Sequence, residues 1–161
     1  MTSKLSRIGV ASDHAGKELK TLVVDFLRMT ANEIVDYGVS VDTDASVDYP
    51  DYAHLLATAV ATTKVDRGIV ICGTGIGMSI VANKVPGIRA AVVWDEFSTR
   101  MSRAHNDANV LCLGSRALNY HRAVDLVKIW LETPFEGGRH EQRLNKIRDF
   151  EKKSLQIRLS T

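Results

Sequence analysis

Short, nearly unbroken apolar runs alternate with longer amphipathic stretches along this chain. The runs Ile8–Ala11, Arg67–Cys72, Ile88–Trp94 and Asn109–Leu113 read as strands, and Glu33–Tyr37 as a weaker fifth. Continuous apolar character, rather than strict alternation, marks a strand that is covered on both faces. Between these runs, apolar residues recur at helical spacing. One set is Leu19, Leu22, Val23, Phe26 and Leu27, a second is Leu55, Leu56, Ala59 and Val60, and a third is Val124, Leu126, Val127, Trp130 and Leu131. The alternation predicts β-α-β units and an α/β fold around a mostly parallel, five-stranded sheet. Pro50 fits the first turn of one helix, with Asp48 or Tyr49 near its cap, and Pro134–Gly138 stops another. Beyond Arg139 the tail is highly charged, with Leu144, Ile147, Phe150 and Leu155 threaded through it at helical spacing. A polar helix with so thin an apolar stripe docks on its own domain or on a partner subunit, and the partner is the reading adopted. No internal repeat, low-complexity segment or linker interrupts the pattern, so residues 1–161 read as one domain.

Composition narrows the function. With 161 residues the chain builds one full core. The 21 basic and 19 acidic residues nearly cancel, which gives no reason to expect nucleic acid or a membrane surface as partner. No apolar stretch approaches the roughly 20 residues of a membrane span. The first seven residues contain no signal-peptide core. Cys72 and Cys112 read as reduced thiols of a cytosolic protein rather than a disulfide framework.

The strongest chemistry lies in Cys72-Gly-Thr-Gly-Ile-Gly-Met-Ser79, directly after a strand and opening a helix. Alternating glycines let the backbone turn tightly and approach a ligand. The free amides that begin a helix attract an anion: a phosphate, a pyrophosphate or a transient oxyanion. A P-loop would end in Gly-Lys-Ser/Thr, and the dinucleotide fingerprint would need glycine where Met78 stands. Asp95, about 20 residues on, does lie where a ribose-binding acid would, but the chain lacks room for a dehydrogenase's substrate domain. Cys72 alone would be a small buried hydrophobe. At the lip of this nest, negative charge on its sulfur is favoured, and the amides of residues 73 to 77 would receive the oxyanion left when it removes a proton beside a carbonyl.

Other candidates sit at strand or helix ends. Asp13-His14 follows the first strand, as an N-cap or as substrate ligands. His105-Asn106 closes the fourth helix, where a histidine is structural or an acid for a ring oxygen. Arg139 and Arg143 share one face of a helix opening, and Arg116 follows a strand. All three suit phosphate oxygens as readily as solvent.

Together these segments resemble the type B ribose-5-phosphate isomerases and, more broadly, the family that includes galactose-6-phosphate isomerase subunits. The likeness runs from Ile8 to about Arg148. Ser12–Gly16, Val47–Asp51, Cys72–Ser79, Ala82–Lys84, Ser102–Asn109, Gly114–Arg116 and Gly137–His140 carry it. It implies a Rossmann-like α/β/α sandwich, a homodimer (with a tetramer left open), sites built across the subunit interface, and neither cofactor nor metal. It further implies interconversion of ribose 5-phosphate and ribulose 5-phosphate in the pentose phosphate pathway, or of a six-carbon sugar phosphate. By that resemblance Cys72 is the base. Gly73, Thr74, Gly75, Ile76 and Gly77 hold the enediolate, with Thr74 shuttling a hydroxyl proton. His105 opens the furanose, Asn106 contacts a substrate hydroxyl, and Asp13 and Tyr49 contact the substrate. His14, Arg116, Arg139 and Arg143 face the phosphate, some from the neighbouring subunit. A second branch of the family uses a glutamate within the glycine loop, placed by the resemblance where Met78 stands. A non-catalytic nucleotide-binding module on the same fold is the rival from another class.

Overall fold

A computed structural model describes residues 6–30 and 33–159. Residues 1–5, part of the stretch without a signal-peptide core, lie outside the described residues. The elements are β1 (Arg7–Ser12), α1 (Lys17–Arg28), β2 (Glu33–Asp36), α2 (Tyr49–Ala61), β3 (Arg67–Cys72), α3 (Ile76–Ala82), β4 (Ala90–Val92), α4 (Glu96–Ala104), β5 (Val110–Gly114), α5 (Tyr120–Glu132) and α6 (Arg139–Leu159). The five strands form one wholly parallel sheet in the order β2-β1-β3-β5-β4.

Side chains on the central strands alternate between two cores, because successive residues of a strand face opposite ways. Ile8, Val10, Ile69, Ile71, Leu111 and Leu113 meet α1 and α5 on one face. Ala11, Val70, Cys72, Val110 and Cys112 meet α2 and α3 on the other. Both layers are apolar, which is why these strands lack polar alternation in the sequence. Burying a Leu- or Ile-sized side chain contributes about 1.5–3 kcal/mol, so the sheet's two faces anchor the fold.

Two sequence expectations need correction. Leu22 and Leu55 lie half exposed, just off the buried stripes of α1 and α2. Strand β4 is three residues, shorter than the apolar run Ile88–Trp94. The Arg89 amide is taken by Asn109 Oδ1 at 2.8 Å, so the β4–β5 ladder begins only at Ala90. At the other end Val93 N reaches Cys112 O at a weak 3.4 Å. Cys72 and Cys112 are both free and buried on the same sheet face. Gly114 pairs with Cys72 and Val70 with Cys112, so the cysteines are diagonal neighbours. Their Cα atoms are then roughly 8 Å apart, too far for a disulfide.

The strand order reverses direction between β1 and β3. From β1 the chain moves outward to β2, then returns past β1 to β3. At such a point the loops leaving the two strands diverge and open a crevice at their carboxyl ends. The β1 loop carries Asp13-His14 and the β3 loop begins with Cys72-Gly73.

Candidate active site

A cleft of about 270 Å³ fills that crevice, lined by Asp13, His14, Ala15, Tyr49, Cys72, Gly73, Thr74, Gly77 and Arg116. The glycine loop forms its floor. Gly75 adopts φ 79°, a left-handed conformation that glycine takes without a steric penalty. The turn swings the Gly75 amide back to the Cys72 sulfur at 3.2 Å, which fixes the direction of that side chain. Ile76 N binds Thr74 Oγ1 at 3.3 Å, and the first bond within α3 runs from Ser79 N to Gly75 O. Among the described residues, the amides of Gly73, Thr74, Gly77 and Met78 therefore have no partner. Helix α3 has only seven residues, so the loop's own amides, more than a long helix dipole, offer the positive charge.

Each wall is held by hydrogen bonds or close packing. Asp13 is buried and accepts from Gly16 N at 3.0 Å, an N-cap-like role that leaves its second oxygen free to contact substrate. His14 Nδ1 lies 3.0 Å from Val47 O and 3.1 Å from Val47 N, so the backbone at Val47 orients the ring. Tyr49 packs on Gly77, where any Cβ would lie 2.6 Å from the phenol ring. The β5–α5 turn is bonded to the glycine loop through Ser115 N to Cys72 O and Arg116 N to Gly73 O. That turn lays the exposed Arg116 guanidinium over Gly73. Burial, reinforced by nearby Cys72, pushes the Cys112 thiol well up, which makes it a poor source of thiolate. The cleft thus combines one largely buried sulfur in its lining, a set of free amides and a cation.

The remaining candidates do not line this cleft. Helix α4 starts after β4 and runs nine residues, about 13 Å, back along the sheet to the start of β5. His105, its C-cap, therefore sits at the edge of the sheet opposite Cys72. There its ring stacks on His140, centroids 4.1 Å apart and 9° from parallel. Glu136 Oε2 lies 3.8 Å from His105 Nε2 and 3.5 Å from His140 Nε2. Arg139 Nε donates to His140 Nε2 at 3.4 Å. Burial first, then His105 and Arg139, hold His140 below the ordinary imidazole range, with Glu136 opposing them. His105, Glu136 and His140 are close enough to be considered as metal ligands. Parallel rings, however, direct their lone pairs side by side rather than at one ion, and Arg139 adds positive charge. The cluster is better suited to moving a proton. Arg143 lies one turn along α6 from Arg139, and Asn106 follows His105.

Residues 8–147 match the profile of a family described as Ribose/Galactose Isomerase. The chain belongs to that family. Escherichia coli ribose-5-phosphate isomerase B is 44% identical over 92% of this chain and 99% of its own length. Ribose-5-phosphate isomerase B of Clostridium thermocellum superposes with a TM-score of 0.89 at 51% identity, covering 92% of this chain and 99% of that one. The Mycoplasma genitalium enzyme, solved with bound ribulose 5-phosphate, gives a TM-score of 0.87 at 42% identity and the same coverage. The chain is accordingly an isomerase, an intramolecular oxidoreductase with the family's Rossmann-like fold.

Within this family member, Met78 is fully buried in the α2–α3 core. This chain therefore has no carboxylate at that position, and a core methionine fills it instead. Ile76 is an exposed loop side chain and does not line the cleft. Asp95, the dinucleotide-like feature, caps α4 by accepting from Ser98 N at 2.8 Å. That hydrogen bond is the main reason its carboxyl lies below the usual range. Sequence reasoning missed the clamp beneath the 38–47 loop. Lys20 is buried on α1 and its Nζ binds both Asp36 oxygens and Val39 O, while Lys17 Nζ binds Thr43 O. These bonds anchor the loop that orients His14. The available signal was a lysine inside an otherwise apolar helix face. Also missed were Glu136 and His140 beside His105.

Proposed function

We infer that this isomerase interconverts ribose 5-phosphate and ribulose 5-phosphate, in the cytoplasm and without cofactor or metal, at sites shared between two copies of the chain. The Cys72 sulfur carries the reading. Cys72 is part of the lining of a cleft beside free amides, and its sulfur accepts from Gly75 N at 3.2 Å. The furanose first opens when a proton is delivered to the ring oxygen and the O1 hydroxyl proton is withdrawn. Cys72, as thiolate, then takes the proton from C2 of the open aldose. Electrons shift through C1 to O1, and the resulting enediolate oxygen rests against the amides of Gly73, Thr74 and Gly77. The Thr74 hydroxyl relays the proton between O2 and O1, and Cys72 returns its proton to C1 to give the ketose. The sequence is a proton-shuttling isomerisation with no net oxidant.

His105 supplies the ring-opening proton from the second copy, because in its own chain it lies at the far edge of the sheet. Arg139 and Arg143 accompany it and meet the phosphate beside Arg116 and His14, while Asn106 joins Asp13 and Tyr49 on the hydroxyls. Helix α6 exposes Ile147, Phe150, Leu155 and Ile157, an apolar face suited to covering by the other subunit of a homodimer.

Turnover of ribose 5-phosphate is expected to exceed that of allose or galactose 6-phosphate by at least about tenfold in kcat/KM. The reverse preference would assign the six-carbon substrate. Tight nucleotide binding without turnover of either sugar phosphate would return the chain to a non-catalytic role.

A further inference from the structure

Helix α4 ends in a conformation that favours glycine, yet the residue there is an aspartate. Ala108 N bonds to Ser102 O at 2.9 Å and Asp107 N to Arg103 O at 3.0 Å. These nested bonds, spanning six and four residues, close a turn one residue wider than a Schellman motif, and its left-handed position still favours glycine. Asp107 holds that position at φ 44°, a conformation that carries a steric cost for a residue with a Cβ.

Its carboxylate accounts for the choice. Oδ1 accepts from Arg103 Nη1 at 2.7 Å, and Oδ2 from Arg89 Nη2 at 3.0 Å. Arg103 is buried over the Trp130 ring and Arg89 is mostly buried. Both arginines also grip the backbone of the turn. Arg89 donates to Asn106 O at 2.9 Å and to Asp107 O, and Arg103 donates to Ala108 O at 2.8 Å. The turn held in this way carries His105 and Asn106. Asparagine or glycine would satisfy the backbone alone. Only a carboxylate can pair with both guanidinium groups at once.

We propose that Asp107 is a positioning residue whose carboxylate, bridged by Arg89 and Arg103, fixes His105 and Asn106 in the direction that serves the second copy's cleft. This rests on His105 being the ring-opening acid, and the test keeps the two ideas apart. Ribulose 5-phosphate has no free hydroxyl with which to form a furanose, so exchange of its C1 hydrogen with solvent needs the base but no ring opening. In Asp107→Gly the left-handed backbone becomes easier and the carboxylate is lost. Its kcat on ribose 5-phosphate is expected to fall roughly 10- to 100-fold. Exchange at C1 of saturating ribulose 5-phosphate, which feels the loss of Asn106 but not of the ring-opening acid, should fall several-fold less than that turnover, and Asp107→Asn should lie between.

His105→Ala is measured alongside. If it loses turnover while Asp107→Gly keeps it, the positioning role is overturned and the acid assignment stands. If His105→Ala itself keeps turnover, both are overturned. Equal loss of turnover and exchange in Asp107→Gly marks general damage and also overturns the proposal. Should that variant not fold, Arg89→Met removes the outer arginine and leaves the Arg103–Asp107 pair intact. The same selective loss of kcat is expected, and unchanged kcat overturns the inference.

Discussion

Replacing Cys72 with alanine is expected to lower kcat on ribose 5-phosphate by about 10²- to 10⁴-fold, the usual worth of a positioned general base. That corresponds to roughly 3–5 kcal/mol of transition-state stabilisation. The loss should be chemical and leave the fold intact. Cys72 ends β3 on the α2–α3 face, and alanine keeps the Cβ that packs there. Removing one buried sulfur costs about 1 kcal/mol of stability. Gly75 N, which now donates to that sulfur, sits in a loop lining an open cleft where water can replace the lost acceptor. Steady-state kinetics together with a thermal melt check both halves. Near-normal turnover, or a collapsed melt, would count against the assignment. Cys112 cannot substitute, since it is fully buried beneath the sheet face and its thiol is held protonated.

A second large effect follows from the division of the candidate residues between opposite edges of the sheet. Cys72→Ala and His105→Ala should each be nearly inactive, yet mixing them under conditions of subunit exchange should restore activity. Random pairing makes about half of the dimers mixed, and each mixed dimer contains one site with neither substitution. Recovery is therefore expected to reach about a quarter of the wild-type rate per chain. No recovery, with exchange confirmed by mass spectrometry of differently tagged chains, would mean that both residues serve the same chain's site or that His105 serves none.

Much of this organisation is legible in the sequence for a physical reason. Ile69-Val-Ile-Cys72 and Val110-Leu-Cys-Leu113 are apolar throughout because α1 and α5 cover one face and α2 and α3 the other. Parallel strands covered in this way leave a linear trace. The cleft was half legible: glycines and a cysteine at a strand end mark a loop, and the reversal of strand order explains why Asp13 and Cys72 meet. Spacing says nothing about which edge a helix end reaches, so the separation of His105 from Cys72 appears only once α4 is seen running back along the sheet. Lys20 and Asp107 escaped for a related reason. A buried lysine satisfied by Asp36 and Val39, and an aspartate in a left-handed turn satisfied by two arginines, depend on partners distant in sequence. Leu22 and Leu55 show the reverse error, since an apolar residue one step off a helical stripe meets solvent.

The most direct test of the base is hydrogen exchange at carbon rather than overall turnover. Wild-type protein in deuterium oxide should place deuterium on C1 of ribulose 5-phosphate, seen by proton NMR, at a rate comparable with isomerisation. The Cys72→Ala protein, still folded, should place none above the uncatalysed background. Deuterium entering C1 at the wild-type rate without the sulfur would show that another group moves the proton, and the account of this site would fail.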